Sequence, residues 1–333
     1  MMPYNGKKLG EDVTTRTVGH NTIPWQLVGM TTFMHARFLI CLMLGCIVGP
    51  SLALAQSPQP EESTGRGQNQ LSHASRHMVA AAHPDAVHAG LETLNRGGSA
   101  ADAAIAVQLV LNLVEPQSSG IGGGAFALFH DAGSSDTVAY DGRETAPQGI
   151  KPDHFLKPDG SPLPFRDAVL GGHSVGTPGT LALLAALHRA HGKLPWADLF
   201  KPAIRLSKDG FTVGPRLAAM LAGPRAERLK TFAATRNYFF PGGTPLAAGQ
   251  TRTNPAFAAS LTAIAANGPD VFYRGDLAQA MVAAVRQAPT NPGLLSRADL
   301  AAYKVIRRQP VCHAYRSFRV CGMGPPSSGG LTV

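Results

Sequence analysis

Arg143 and Glu144 stand in the run YDGRETAP (140–147), at the end of a segment that reads as a strand. An arginine there offers a planar fork that can hold a carboxylate through two parallel hydrogen bonds, which the point charge of a lysine cannot copy. Taken alone, the motif reads first as an Arg–Glu or Arg–Asp structural bridge. SSGIGGGAF (118–126) is a second candidate, with four glycines in nine residues. Glycine is required where φ is positive or where a ligand or another backbone approaches closely. A phosphate loop would continue with Gly-Lys-Ser/Thr, and a dinucleotide loop would lie between a strand and a helix. The order here is helix, glycines, strand, so both fail, and tight packing of a buried turn is the competing reading.

Other chemistry is sparse. His73, His77, His83, His88, His130, His154, His173, His188, His191 and His313 are dispersed, and none falls into HExxH or another metal-ligand spacing. His188 and His191, three apart on a helix, read as a solvated helix end. No Gly-x-Ser-x-Gly elbow is present, and no pair of carboxylates stands out for acid–base work. Cys312 and Cys321 flank HAYRSFRV, which reads as strand, turn, strand. A cross-strand disulfide and two buried thiols both remain open.

These residues need elements to hold them. MVAAAH (78–83) reads as a short buried strand. Helical spacing follows from Pro84 to Arg96-Gly97-Gly98. Ser99 then caps a second helix that is apolar nearly all round, so it should be buried, and Glu115-Pro116 stops it. GAFALFH and TVAYDGRE form a strand pair joined by Asp131 to Asp136. After a proline-rich loop (146–168), helices are expected from Thr177-Pro178 to His191, from Leu194-Pro195-Trp196 to Lys208, and over 214–232, 255–267, 276–288 and 298–302. The Cys312–Cys321 hairpin closes the chain. This order fits a layered α/β or α+β domain.

Composition narrows the setting. Apolar residues make up 44% of the 333, enough for a sizeable core, and charged residues only 15%, against about 25% in average soluble proteins. The formal charge of +9 is scattered, with no dense Lys/Arg block, which argues against a nucleic-acid partner and is compatible with an anionic small substrate. Residues 34–55 have the shape of a secretory signal peptide: Arg37, an apolar run from Phe38 to Val48, and Ala53-Leu54-Ala55 before Gln56. Cys41 and Cys46 lie within it. An uncleaved anchor is the competing reading. Cleavage near Ala55 would make the protein periplasmic or secreted. Residues 1–33 are polar and unpatterned, as a start called too early would give, and 56–75 read as a flexible lead-in.

Six stretches in order carry a resemblance: MVAAAHPDAVHAGLETLNRGGSAADAAIAVQLVLNLVEPQSSGIGGGAF, YDGRETAP, SVGTPGTLALL, GKLPWADLFKPAIRLSKDGF, RADLAAYKV and MGPPSSGG. Together they resemble the large subunit of gamma-glutamyltranspeptidase over residues 76–333. The resemblance implies an α+β fold of the N-terminal nucleophile hydrolase type, an αββα sandwich, incomplete here. It implies a precursor that cuts itself, exposing a threonine at the head of a small subunit. That threonine attacks gamma-glutamyl amides such as glutathione, and water or an amino acid or peptide acceptor takes the acyl group. No metal or organic cofactor is implied. Arg143 matches the family arginine that grips the substrate's α-carboxylate; the glycines at 120 and 122–124 match a motif expected to shape the core beside it. The nucleophile has no match: the sequence stops three residues after the Pro-Pro-Ser-Ser-Gly-Gly motif, so the small subunit is missing and the 333-residue chain alone should release nothing from a gamma-glutamyl anilide. A related cephalosporin-type acylase, or a non-catalytic gamma-glutamyl-binding protein or separately encoded large subunit, are the alternatives.

Overall fold

The computed structural model describes residues 71–332. The extension expected over 1–33, the leader over 34–55 with Cys41 and Cys46, and residues 56–70 of the lead-in lie outside the described residues. From His73 onward the chain belongs to one compact unit.

Helix α1 (Pro84–Asn95) begins with proline at its first position and His83 as N-cap, whose Nδ1 accepts the Asp85 N–H at 3.2 Å. It ends at Gly97, whose φ of +87° suits glycine. Helix α2 (Ala100–Val114) starts in a capping box: Ser99 accepts from the Asp102 N–H while Asp102 accepts from the Ser99 N–H. Asp102 is fully buried and also accepts the N–H groups of Lys193 and Leu194, at 2.8 and 3.1 Å, so a capping residue doubles as a bolt to a distant loop. Ile105, Ala106, Leu109, Val110 and Leu113 are buried, as a circumference apolar nearly all round requires.

Strands β1 (Ala125–Asp131) and β2 (Asp136–Gly142) pair antiparallel, with Ala125 opposite Gly142 and Asp131 opposite Asp136. Then follow α3 (Phe165–Ala168), α4 (Thr180–His191), a 3-10 turn at Trp196–Phe200, α5 (Lys201–Asp209), β3 (Phe211–Thr212) and α6 (Pro215–Ala222). Next come α7 (Ala233–Phe239), β4 (Thr251–Arg252), α8 (Pro255–Asn267), α9 (Asp270–Tyr273), α10 (Asp276–Arg286) and α11 (Arg297–Ala302). Strand β5 (Ile306–Arg308) adds to β2, with Arg307 opposite Tyr140, giving the sheet order β1-β2-β5. Strands β6 (Val311–Tyr315) and β7 (Phe318–Gly322) form a separate hairpin, and α12 (Gly329–Thr332) packs on it. Cys312 and Cys321 stand directly opposite each other in that hairpin and are joined in a disulfide, which closes the choice that the sequence left open.

The structure differs from expectation at several places. Residues 78–83 form no strand. Met78 is 55% exposed, and no ladder partner reaches the segment among the described residues. A short apolar run makes a strand only where a neighbouring edge meets it. Val79 packs instead over Gly90 of α1, at a point where a Cβ would leave no room for it. The helix expected over 214–232 breaks at Gly223 into α6 and a 3-10 stretch, Pro224–Thr231. Strand β5, the small β3–β4 pair and α7 carry too little pattern to be read from sequence.

Candidate substrate-binding site

Arg143 lies one residue beyond the end of β2, and the strand end is fixed before the arginine is reached. Gly142 packs so closely on α4 that a Cβ would come 2.6 Å from that of Leu183. Asp141 is buried, and both its carboxylate oxygens are used. Its Oδ1 accepts the Arg143 N–H at 3.0 Å, and its Oδ2 accepts from Arg308 Nε at 2.7 Å, which ties β2 to β5 by side chains as well as by the ladder. The Arg143 carbonyl accepts a 2.7 Å hydrogen bond from the Tyr303 hydroxyl. Both peptide groups of Arg143 are therefore held by side chains, one from two residues before it and one from Tyr303, while its own side chain is 56% exposed and its Nε forms an ion pair with Glu144 at 3.7 Å. A guanidinium with a fixed base and an outward fork is suited to capture a carboxylate.

The glycine loop sits against this residue pair. A Cβ on Gly124 would fall 2.8 Å from both the carboxyl carbon and the backbone nitrogen of Glu144. The Gly123 carbonyl accepts the N–H groups of Gly179 and Thr180, at 2.9 and 3.1 Å, which caps the start of α4. On the other side, Thr145 and Thr177 exchange two backbone hydrogen bonds, and Gly176 lets Glu144 pass, its missing Cβ lying 3.0 Å from that of Glu144. Three stretches that are separate in sequence, SSGIGGGAF, YDGRETAP and SVGTPG, thus become one surface.

Two tyrosines fasten it. Tyr273 donates to the Pro178 carbonyl at 3.0 Å and accepts the Ala182 N–H at 3.1 Å, and burial pushes its phenol well up. Tyr303 stacks on it, ring centroids 6.0 Å apart. Burial, with the negative charges of Asp141 and Glu144 adding, pushes the Tyr303 phenol up to about 12. It is therefore protonated, and a donor, at any ordinary pH. None of Asp141, Tyr273 and Tyr303 stands out from the sequence; Asp141 lies within YDGRETAP and Tyr303 within RADLAAYKV, two stretches of the resemblance, whereas Tyr273 lies in none.

Other candidates lie elsewhere or have other work. His188 and His191 are not a solvated helix end. His188 Nε2 sits 2.8 Å from the Leu194 carbonyl oxygen. His191 Nε2 sits 2.8 Å from the Tyr140 hydroxyl, with its ring stacked on Phe129 at 3.7 Å; burial, helped by Arg307, lowers its pKa. The α4 terminus sets His191 against Phe129 of β1 and Tyr140 of β2, while His188 lies against Trp196 and the Leu194 carbonyl. The MGPPSSGG run folds back on the β6–β7 hairpin, Gly330 against Gly322. No group of three or more His, Cys, Asp or Glu able to hold a metal comes together among the described residues. The hydrogen bonds at Arg143 position it; none activates a hydroxyl or thiol.

Comparison with known proteins shows the family. The family model described as Gamma-glutamyltranspeptidase matches residues 86–333. The glutathione hydrolase proenzyme of Bacillus subtilis (strain 168) is 36% identical over 254 residues, covering 76% of this chain and 42% of that protein. The glutathione hydrolase proenzyme of Escherichia coli (strain K12) is 34% identical over 304 residues, covering 91% of this chain and 51% of that protein. The chain thus spans about half the length of the curated relatives it matches. The crystal structure of Helicobacter pylori gamma-glutamyltranspeptidase superposes with a TM-score of 0.74 at 32% identity, covering 78% of this chain and 73% of that one. A cephalosporin acylase from Bacillus halodurans superposes less well, with a TM-score of 0.66 at 31% identity, over 79% of this chain and 50% of that one. The helices and antiparallel sheet are those of an α+β, N-terminal nucleophile hydrolase fold. On sequence and on structure alike, the chain belongs to the gamma-glutamyltranspeptidase family.

Proposed function

We propose that this chain is the large-subunit portion of a gamma-glutamyltransferase and glutathione hydrolase, and that Arg143 holds the α-carboxylate of the gamma-glutamyl group. The observation that carries the reading is Arg143 itself: both its peptide groups are tied down and its guanidinium faces outward at a site built from family motifs. A small subunit supplies the attacking threonine. Its hydroxyl adds to the gamma-glutamyl carbonyl, the amine or amino acid leaves with a proton, and an acyl-enzyme remains. Water then gives hydrolysis, and an amino acid or peptide acceptor gives transfer. Glutathione is the natural donor on this reading, and the residues of the site ask for no cofactor. The same reading makes the protein a self-cleaving precursor exported to the periplasm or outside the cell. The pattern of residues 34–55 supports export, and N-terminal sequencing of exported protein starting at Gln56 is the check.

The test is a donor panel on the mature enzyme, this chain with its small subunit. A gamma-glutamyl anilide should be cleaved, faster with a dipeptide acceptor present; a 4-aminobutyryl anilide, which lacks the α-carboxylate, and a glutaryl anilide, which keeps that carboxylate but lacks the α-amino group, should both be cleaved poorly. Equal or better cleavage of the glutaryl compound would replace this reading with a cephalosporin-type acylase.

A further inference from the structure

We propose that Tyr303 is a positioning residue for Arg143, setting the point from which the guanidinium reaches a substrate carboxylate. This rests on the carboxylate-binding reading of Arg143. The contact is direct: the Tyr303 hydroxyl donates to the Arg143 carbonyl at 2.7 Å, across 160 residues of sequence. Its place is reserved, because a Cβ on Gly179 would strike the Tyr303 hydroxyl and the Gly142 carbonyl. The ring is steadied by stacking on Tyr273, interplanar angle 9°, and Tyr273 in turn grips the Pro178–Ala182 turn.

The segment that carries Tyr303 is tied to the Arg143 loop at a second point. Helix α11 opens on a Ser296–Asp299 capping box, and buried Asp299 also accepts the Gln148 N–H at 2.9 Å. Residues 143 and 148 are thus each bonded to the 299–303 segment, which braces RETAPQ from both ends. Asp141 holds the Arg143 N–H from the opposite side, and Arg308 holds Asp141. Take away the phenol oxygen and the carbonyl end of Arg143 is released while its amide end is kept, so the peptide swings and carries the guanidinium with it. Displacements of this size matter where a fork must meet a carboxylate on two bonds. Tyr303 does this through Arg143 and needs no contact with the substrate.

The experiment uses the mature enzyme carrying Tyr303→Phe, Arg143→Gln, or both, with kcat and KM measured on a gamma-glutamyl anilide. Tyr303→Phe keeps the ring stack and should raise KM about three- to tenfold, as expected for one lost hydrogen bond, with kcat changed less than about twofold. In the Arg143→Gln background the same change should move KM by less than about 1.5-fold, since residues acting as a unit are not additive. A fall in kcat at unchanged KM, or a KM effect that multiplies with that of Arg143→Gln, overturns the proposal. If Arg143→Gln raises KM and Tyr303→Phe does not, the proposal fails and the carboxylate reading stands; if Arg143→Gln leaves KM unchanged, both fail. Should Tyr303→Phe not mature, Asp299→Ala removes the acceptor of the Gln148 N–H and so loosens the same brace, and it must raise KM in the parent and not in Arg143→Gln.

Discussion

Asp141 offers the sharpest stability test of how the arginine is seated. Its side chain is 8% exposed and accepts two hydrogen bonds, from the Arg143 N–H at 3.0 Å and from Arg308 Nε at 2.7 Å. Asp141→Ala leaves both donors without this partner. Breaking a fully buried ion pair costs about 3–5 kcal/mol. Arg308 is 42% exposed, so water recovers part of the loss, which brings the figure to about 2 kcal/mol. In a unit of this size each kcal/mol moves Tm by about 2–4 °C, so the variant should melt about 4–8 °C below the parent. Asp141→Asn keeps an oxygen for the Arg143 N–H and loses the charge that Arg308 meets, so it should fall between the two. The assay is thermal unfolding of Asp141→Ala, Arg308→Ala and the double variant. The double should be little worse than Asp141→Ala alone, because the two side chains share one interaction. A melting point within about 1 °C of the parent for Asp141→Ala, or full additivity with Arg308→Ala, would refute the reasoning.

The glycine loop predicts a contrast within three residues. Gly124→Ala should cost about 1–3 kcal/mol, since its Cβ lands on Glu144, whereas Gly122→Ala faces open space and should be near neutral in the same urea titration. Replacing Cys312 and Cys321 together by serine opens a loop spanning 9 residues of separation and should cost about 2–3 kcal/mol by loop entropy; reductant on the parent should match it in chemical denaturation. Asp299 gives a pH signature. Burial pushes its carboxyl up, but hydrogen bonds from Gln148 and Ser296 and the charge of Arg286 outweigh this, and the net shift is downward. The folded value then lies below the ordinary value of about 3.9, so its contribution is complete above that pH and is lost as pH falls through the folded value. Asp299→Asn should therefore flatten the acid side of stability against pH, and an unchanged slope between about pH 5 and pH 3 would exclude Asp299 as a source.

What could be read beforehand was what local chemistry dictates. The capping box at Ser99, the positive-φ stop at Gly97 and the β1–β2 turn are written in neighbouring residues, and they stand where the sequence puts them. Arg143 could be singled out as a carboxylate clamp through the resemblance, since taken alone it reads as a structural bridge. Its supports could not. Tyr303 lies 160 residues away, and Asp141, though inside YDGRETAP, does not announce the two bonds it accepts. The same limit explains the error at 78–83: an apolar run states that it will be covered, not by what. For His188 and His191, helical spacing suggests a solvated end, but it does not state the contacts that cover them, His191 on Phe129 and Tyr140 and His188 on Trp196 and the Leu194 carbonyl.

The most direct measurement compares two donors on parent and Arg143→Gln mature enzyme: a gamma-glutamyl anilide and its α-carboxamide counterpart, which differ only in the group the guanidinium is held to grip. A charge-assisted bond is worth about 1.5–3 kcal/mol, so the parent should prefer the carboxylate donor about 10- to 150-fold in kcat/KM, and Arg143→Gln should bring that preference down to a few-fold. A preference left intact by Arg143→Gln would contradict the assignment of Arg143 as the carboxylate clamp.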